Sequence, residues 1–430
     1  MELEILITAL THAAEGIGRH AGRAIFVPFA LPGETVRVEI VEEKKNFARA
    51  RLIEILTPAP DRIAPRCPHH FAPPQSGNLP TGSGVGVRWA CGGCHLQHLA
   101  YPAQLAFKQQ AVVEQLTRVG GFGNPPVRAT LPAPSPFNYR NHVQFSLTRE
   151  GRLGFRSAHS HAIIPIAECH QLQPALGELF PRITIDPLAA PQIERVTLRA
   201  SDDDALVILE TEGEAPEMEL DLPVSATLLR SDGSTLTLAG ADSLVETARD
   251  RAFQISAGSF FQINTALAEQ MIELVLNGLA LTGGETVLDL YCGVGFFTAF
   301  IAPLAKKVIG IEAYAPAVTD AVVNLDEFDN VDIYEAPAED VLPALEAAPD
   351  AILLDPPRAG CAPAVLAALN RLAAARLVYV SCDPATFARD AQRLVAGGYA
   401  LAWVQPLDMF PQTYHIECVA LFTRQSPIPT

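Results

Sequence analysis

From about residue 260 onward the chain repeats one pattern: an apolar run, a glycine or proline loop, then a helical stretch. The runs are TVLDLYCGVGFFTAFIA, KKVIGIEA, DAILLDPPR and RLVYVSC. Short apolar strands that alternate with helices imply a doubly wound, mostly parallel sheet. In such sheets ligands bind outside the carboxyl ends of the strands. The spacing therefore predicts an α/β domain over residues 258–430, with Asp289, Glu312, Asp355 and Cys382 at its strand ends.

The preceding 257 residues read differently. Residues 1–58 alternate short strands with glycine turns and predict a small OB-like β-barrel. Residues 59–257 predict a central α+β domain whose strands include HVQFSLTR and ERVTLRA. Within it, PPQSGNLPTGSGVGV (residues 73–87) reads as a loop. Residues 99–120 read as a helix, with Leu105, Val112, Val113 and Leu116 at helical spacing before a Gly-Gly stop, and this helix is expected to pack on the C-terminal domain.

Apolar residues make up 49% of the chain, yet no run of about eighteen of them suggests a membrane span. The acidic start MELEILITAL lacks the charge pattern of a secretion signal, so cytoplasmic residence is expected, with eight cysteines as thiols or metal ligands. The net charge of −17 argues against simple coating of nucleic acid. Nine acidic residues fall within 201–221, a segment expected to form a solvated hairpin. Arg19, Arg23, Arg37, Lys44, Lys45, Arg49 and Arg51 cluster near the N-terminus and outline an RNA-facing patch.

In VLDLYCGVGFFT, Gly293 and Gly295 stand in the turn after a strand, where a backbone without side chains can approach a ligand closely. Glu312 follows Gly295 by seventeen residues at the end of the next run, where a carboxylate can accept hydrogen bonds from both ribose hydroxyls. That pair suits NAD and S-adenosylmethionine alike. Phe297-Thr298 occupies the region where a dinucleotide site wants a third glycine, which favours S-adenosylmethionine.

The third run ends in LLDPPRAG. Amino-group methyltransferases place an aromatic after Asp-Pro-Pro to stack on the target base, and here Arg358 stands in that place. The fourth run places Cys382 where strand gives way to loop. A free cysteine is as a rule a small buried hydrophobe, but this position gives it a chemical reading as well. A thiolate that adds to carbon 6 of uracil makes carbon 5 nucleophilic enough to take a methyl group. A base must then remove the proton from carbon 5. Glu417, at the start of the last apolar run, is placed for that role, and an ordinary edge-strand glutamate is its other reading. A second cysteine group, Cys91-Gly-Gly-Cys94 with Cys67 and Cys169, suits either a 4Fe-4S cluster or a structural zinc, with His69, His70, His95 and His98 nearby in sequence.

FFQIN, LDLYCGVGFFT, DPPRAG, VSCDPATFARD and DMFPQTYHIE, in that order, resemble the RNA uracil-C5 (5-methyluridine) methyltransferases. The resemblance implies an S-adenosylmethionine-dependent enzyme in which Cys382 is the nucleophile and Glu417 the base. It also implies a cofactor site lined by Gln262, Tyr291, Gly293, Gly295, Glu312 and Asp355, with Gln262 and Asp355 near the target base. CGGCHLQHLAYPAQLAFKQ looks like the family's iron-sulfur motif and IAECHQL its fourth ligand, so a 4Fe-4S cluster on Cys67, Cys91, Cys94 and Cys169 is expected, with zinc as the alternative. Relatives place the first two of these cysteines close together, whereas 23 residues separate Cys67 from Cys91. The barrel resembles the family's TRAM module.

The expected substrate is 23S ribosomal RNA in preference to tRNA, and the chain is expected to act as a monomer without a membrane. Two positions depart from the pattern: Asp383 replaces an Asn common in the cysteine motif, and Ala336 stands where relatives carry a polar cofactor contact. A DNA cytosine-C5 methyltransferase is the enzymatic rival, but it sets its cysteine after proline, whereas Pro384 follows Cys382. A non-catalytic iron-sulfur RNA-binding protein is the other rival, and it would not require Cys382 and Glu417 together.

Overall fold

The computed structural model describes residues 1–71, 91–158, 161–213, 223–345 and 348–424. The expected loop at 73–87 lies outside the described residues, as does the end of the acidic segment. No helix among the described residues is long and apolar enough to cross a membrane.

Strands Glu2–Leu10, Glu15–His20, Arg23–Pro28, Phe47–Thr57 and Thr35–Glu43 close, in that order, into a barrel. Every second side chain points inward, as the two-residue strand period requires, and Ile5, Ile7, Ile25, Val27, Val36, Val38 and Leu52 fill the interior. The outward positions carry the basic residues, and register matches them with carboxylates: Arg37 lies opposite Glu4, and Arg51 opposite Glu39. Ion pairs join Arg37 to Glu4 (2.9 Å) and Glu54, Arg49 to Glu15 (2.7 Å), Arg23 to Glu43 (3.4 Å), Lys44 to Glu42 (3.0 Å) and Arg51 to Glu39. Five of the seven cations in the expected RNA-facing patch are thus already neutralised. Any RNA contact there cannot rest on clustered free charge.

The central sheet runs Thr235–Ala239, Ser225–Leu229, Ala205–Glu210, Arg195–Ala200, His142–Leu147, Leu153–Arg156, Ile163–Pro165. Among the described residues of the acidic segment, the Asp202–Asp204 turn is the tip of a hairpin. The next strand buries Leu206, Val207, Ile208 and Leu209 and pairs in parallel with Ser225–Leu229, so the acidic segment does not form one solvated hairpin. Four apolar residues in succession need cover on both faces, and that requirement overrides the flanking charge.

The C-terminal sheet has seven strands: Val331–Glu335, Lys307–Glu312, Thr286–Leu290, Ala351–Leu354, Arg376–Ser381, Glu417–Arg424 and Tyr399–Leu407. The first five run parallel, and Glu417–Arg424 is antiparallel to both of its neighbours. Strand order reverses between Thr286–Leu290 and Ala351–Leu354, which opens a crevice at their carboxyl ends. Helix Thr265–Leu279, with Asn264 as its N-cap, covers one face of the sheet. Helix Tyr101–Arg118, from the central part of the chain, joins the other face through Ala111, Val112 and Leu116, packing on helix Pro384–Ala396 and strand Tyr399–Leu407. The chain is thus of α/β class, with a Rossmann-like C-terminal sheet, an N-terminal barrel and α+β material between them.

Candidate active site

Four strand ends converge on the crevice. After Thr286–Leu290 the chain turns sharply, with Tyr291, Gly293 and Gly295 all at positive φ (62°, 56° and 83°). A side chain on Gly295 would strike Leu325 at 2.7 Å, whereas one on Gly293 would project into open space. Gly295 is therefore fixed by packing, while Gly293 lies beside room for a ligand. Glu312 braces this turn: it accepts from the N–H groups of Gly293 (2.9 Å), Ala313 (2.9 Å) and Tyr314 (2.8 Å). A carboxylate offers about four acceptor sites, so roughly one remains for a ligand hydroxyl. Beneath the turn, buried Asp289 accepts from the Thr298 hydroxyl at 2.6 Å. Burial pushes its pKa up to about 7, with Thr298 opposing the rise and Asp355 and Glu312 adding to it.

Cys382 and Glu417 come from adjacent antiparallel strands. Ser381 pairs with Cys418, so one further step of the same register sets Cys382 opposite Glu417. Glu417 thus starts an interior strand, not an edge one, and is 4% exposed. Asp383 caps helix Pro384–Ala396 by accepting from Ala385 N and Thr386 N, both at 2.9 Å. The proline supplies the helix's first residue, and the cap fixes the backbone immediately after the thiol. An Asp fills this cap as well as the Asn of relatives would.

Burial pushes the Cys382 thiol up to about 12, Glu417 and Asp355 push it further in the same direction, and Arg358 opposes them. Burial likewise raises the Glu417 carboxyl far above its ordinary range, with Asp355 adding to the rise and Arg358 opposing it. Asp355 is raised to about 7 by burial and by Glu312. Burial thus raises all three groups, and Arg358 opposes the rise at Cys382 and at Glu417. Since only the thiolate reacts, alkylation of Cys382 by iodoacetamide should accelerate about tenfold per pH unit between about pH 7 and 9. Peptide mass spectrometry reads this directly, and a plateau below about pH 8 would contradict the raised thiol.

Gln262 is buried in the segment before helix Thr265–Leu279, where its carbonyl accepts from Asn141 at 3.0 Å. Tyr291 lies beside Cys361, and Cys292, Cys361 and Cys418 are buried core residues.

The second cysteine group gathers from three segments. Cys67, Cys91, Cys94 and Cys169 line one cavity of about 200 Å³, together with Arg140 and His415. The long interval after Cys67 does not carry it away: its N–H donates to Gln97 Oε1 (3.0 Å), and Gln97 Nε2 donates to Cys94 Sγ (3.2 Å). Glycine is needed at position 92 because a side chain there would meet the Arg156 carbonyl at 2.5 Å. Burial raises all four thiols, Cys91 to about 12. The sulfurs share the cavity without forming a ready-made ligand set: among the described residues no group of three or more His, Cys, Asp or Glu could hold an ion. The donor chemistry still fits a thiophilic metal group, which would replace the thiol protons on binding.

The sequence profile of the tRNA (Uracil-5-)-methyltransferase family matches residues 230–425, and that of the TRAM domain residues 1–53. An uncharacterized RNA methyltransferase of Thermosynechococcus vestitus is 34% identical over 98% of this chain and 98% of its own length. The chain belongs to this RNA methyltransferase family. A second uncharacterized RNA methyltransferase, from Halalkalibacterium halodurans, is 35% identical to the enzyme over 97% of this chain and 96% of its own. A crystal structure of the Pyrococcus abyssi tRNA (uracil-54, C5)-methyltransferase, in complex with S-adenosyl-L-homocysteine, is similar to the methyltransferase over 98% of this chain and 100% of that one. The TM-score is 0.74 at 28% identity.

Proposed function

We propose that the enzyme methylates carbon 5 of a uridine in 23S ribosomal RNA through a covalent bond from Cys382, acting as a monomer. The observation that carries this reading is the register that sets Cys382 opposite Glu417, with Asp355 and the glycine turn at neighbouring strand ends. S-adenosylmethionine would supply an electrophilic methyl group, held by Gln262, Tyr291, Gly293, Gly295, Glu312 and Asp355. As the thiolate, its proton released to solvent, Cys382 Sγ adds to carbon 6 of a uracil turned out of its stack and the electron pair moves onto carbon 5, which would take the methyl group as that carbon's bond to the sulfonium sulfur breaks and its electron pair stays on sulfur. Glu417 then takes the carbon-5 proton, the pair returns to the ring, and the carbon–sulfur bond breaks. Desolvation keeps Glu417 a strong enough base for that task.

A transfer-RNA uridine is the second reading, favoured by the full-length likeness to the archaeal tRNA enzyme. The barrel does not separate the two readings, because that likeness covers 98% of this chain and so includes it. Mapping 5-methyluridine in RNA from cells lacking the protein decides. Loss of one site in 23S RNA supports the proposal, loss in tRNA selects the second reading, and loss in neither overturns both.

The thiol cavity is proposed to hold a 4Fe-4S cluster on Cys67, Cys91, Cys94 and Cys169, with zinc as the alternative occupant; the all-cysteine donor set supports the cluster. Protein prepared without oxygen should contain iron and sulfide and absorb broadly near roughly 400 nm. Stoichiometric zinc without sulfide would reject the cluster.

A further inference from the structure

Helix Tyr101–Arg118 buries two polar side chains, Gln104 and Lys108, against the segment that leads into Glu417. Lys108 has no exposed surface, and its ammonium donates to Asp408 Oδ1 (2.5 Å), the Phe410 carbonyl (3.0 Å) and the His415 carbonyl (2.7 Å). All three of its hydrogens are thus spent on one turn, near both ends of it. Gln412, at the turn's tip, is held at a φ of 67°, a conformation that persists only where the surroundings over-determine it. Those surroundings are specific. The Gln412 carbonyl accepts from His95 N (2.8 Å) and Leu96 N (3.0 Å), its N–H donates to Gln104 Oε1 (3.2 Å), and its side-chain oxygen accepts from Gln104 Nε2 (3.0 Å). Tyr139 and Gln171 donate to the Pro411 carbonyl at 3.2 and 3.3 Å.

None of these partners belongs to the catalytic sheet. They come from the helix, from the residues directly after Cys94, and from segments near Cys169. Only Ile416 separates the braced turn from Glu417. Burying an ammonium is costly, and apolar replacements of such pairs are often neutral for stability, so the pair is not explained by stability alone. What it does is fix the shape of one turn.

We infer that Lys108, together with Gln104, is a positioning brace that sets the Glu417 carboxyl for proton removal from the methylated adduct. The inference rests on the function proposed above, and it separates two steps of that reaction. Cys382 follows the neighbouring strand Arg376–Ser381, and the hydrogen bonds of Lys108 and Gln104 go to other segments, so bond formation should survive loss of the brace while release slows.

The test uses the full chain, tritiated S-adenosylmethionine, and in vitro transcripts of 23S RNA and tRNA in single-turnover reactions. Adduct is read on denaturing gels and released product as labelled free RNA. Lys108→Met should form adduct within about threefold of the unmodified chain and release methylated RNA more than about tenfold more slowly, so that labelled adduct accumulates. If that variant does not fold, Lys108→Met combined with Asp408→Leu removes both charges at once, and Gln104→Leu loosens the same turn without stranding a charge. Equal slowing of both steps in the folded variants, or no slowing of release, overturns the inference. Glu417→Gln serves as the reference. If it accumulates adduct and the brace variants do not, the brace alone is wrong; if it accumulates none, the proposed role of Glu417 falls and the brace with it.

Discussion

Replacing Cys382 with alanine should lower kcat/KM on RNA by about five orders of magnitude, the scale on which a covalent nucleophile acts. Alanine fills the same place before the Asp383 cap, so the fold around it should stand. Cofactor affinity should change by less than about threefold, because the thiol acts on the base and not on the methyl donor. Steady-state kinetics and calorimetric titration with S-adenosylmethionine measure the two effects separately. Near-normal turnover by the alanine variant would remove the covalent mechanism.

Replacing Glu417 with glutamine should produce the opposite kind of defect. The amide matches the carboxyl in shape but cannot take up a proton, so the step after methyl transfer is blocked. Turnover should fall by about a thousandfold, within the range for loss of a general base. A methylated protein–RNA adduct that survives denaturing electrophoresis should appear at the same time. Free turnover without adduct would assign the base role to another group, with Asp355 the first to examine because burial and Glu312 raise it to about 7.

The features legible in the sequence are those fixed by local order. Four apolar runs that end in Asp289, Glu312, Asp355 and Cys382 define strand ends without any knowledge of pairing. The inward alternation of the barrel was equally local. Features that depend on register were not legible. Arg37 and Arg51 look like free charge until strand pairing sets Glu4 and Glu39 opposite them. Glu417 reads as an edge residue until Tyr399–Leu407 is found on its outer side. Lys108 and Gln104 escape an apolar-stripe reading of their helix because they are polar side chains in buried positions. Their partners, Asp408 and Gln412, lie about three hundred residues away in the chain. A Lys and a Gln spaced four apart in line with Val112 and Leu116 is the signal that was available.

The covalent role of Cys382 is tested most directly with RNA transcripts that carry 5-fluorouridine. Fluorine at carbon 5 leaves Glu417 no proton to remove, so an adduct that forms should persist. After digestion, peptide mass spectrometry should locate the methylated fluorouridine on Cys382, within the segment that also holds Asp383 and Pro384. Absence of any adduct, or its attachment to a different residue such as Cys361 or Cys292, would contradict the account.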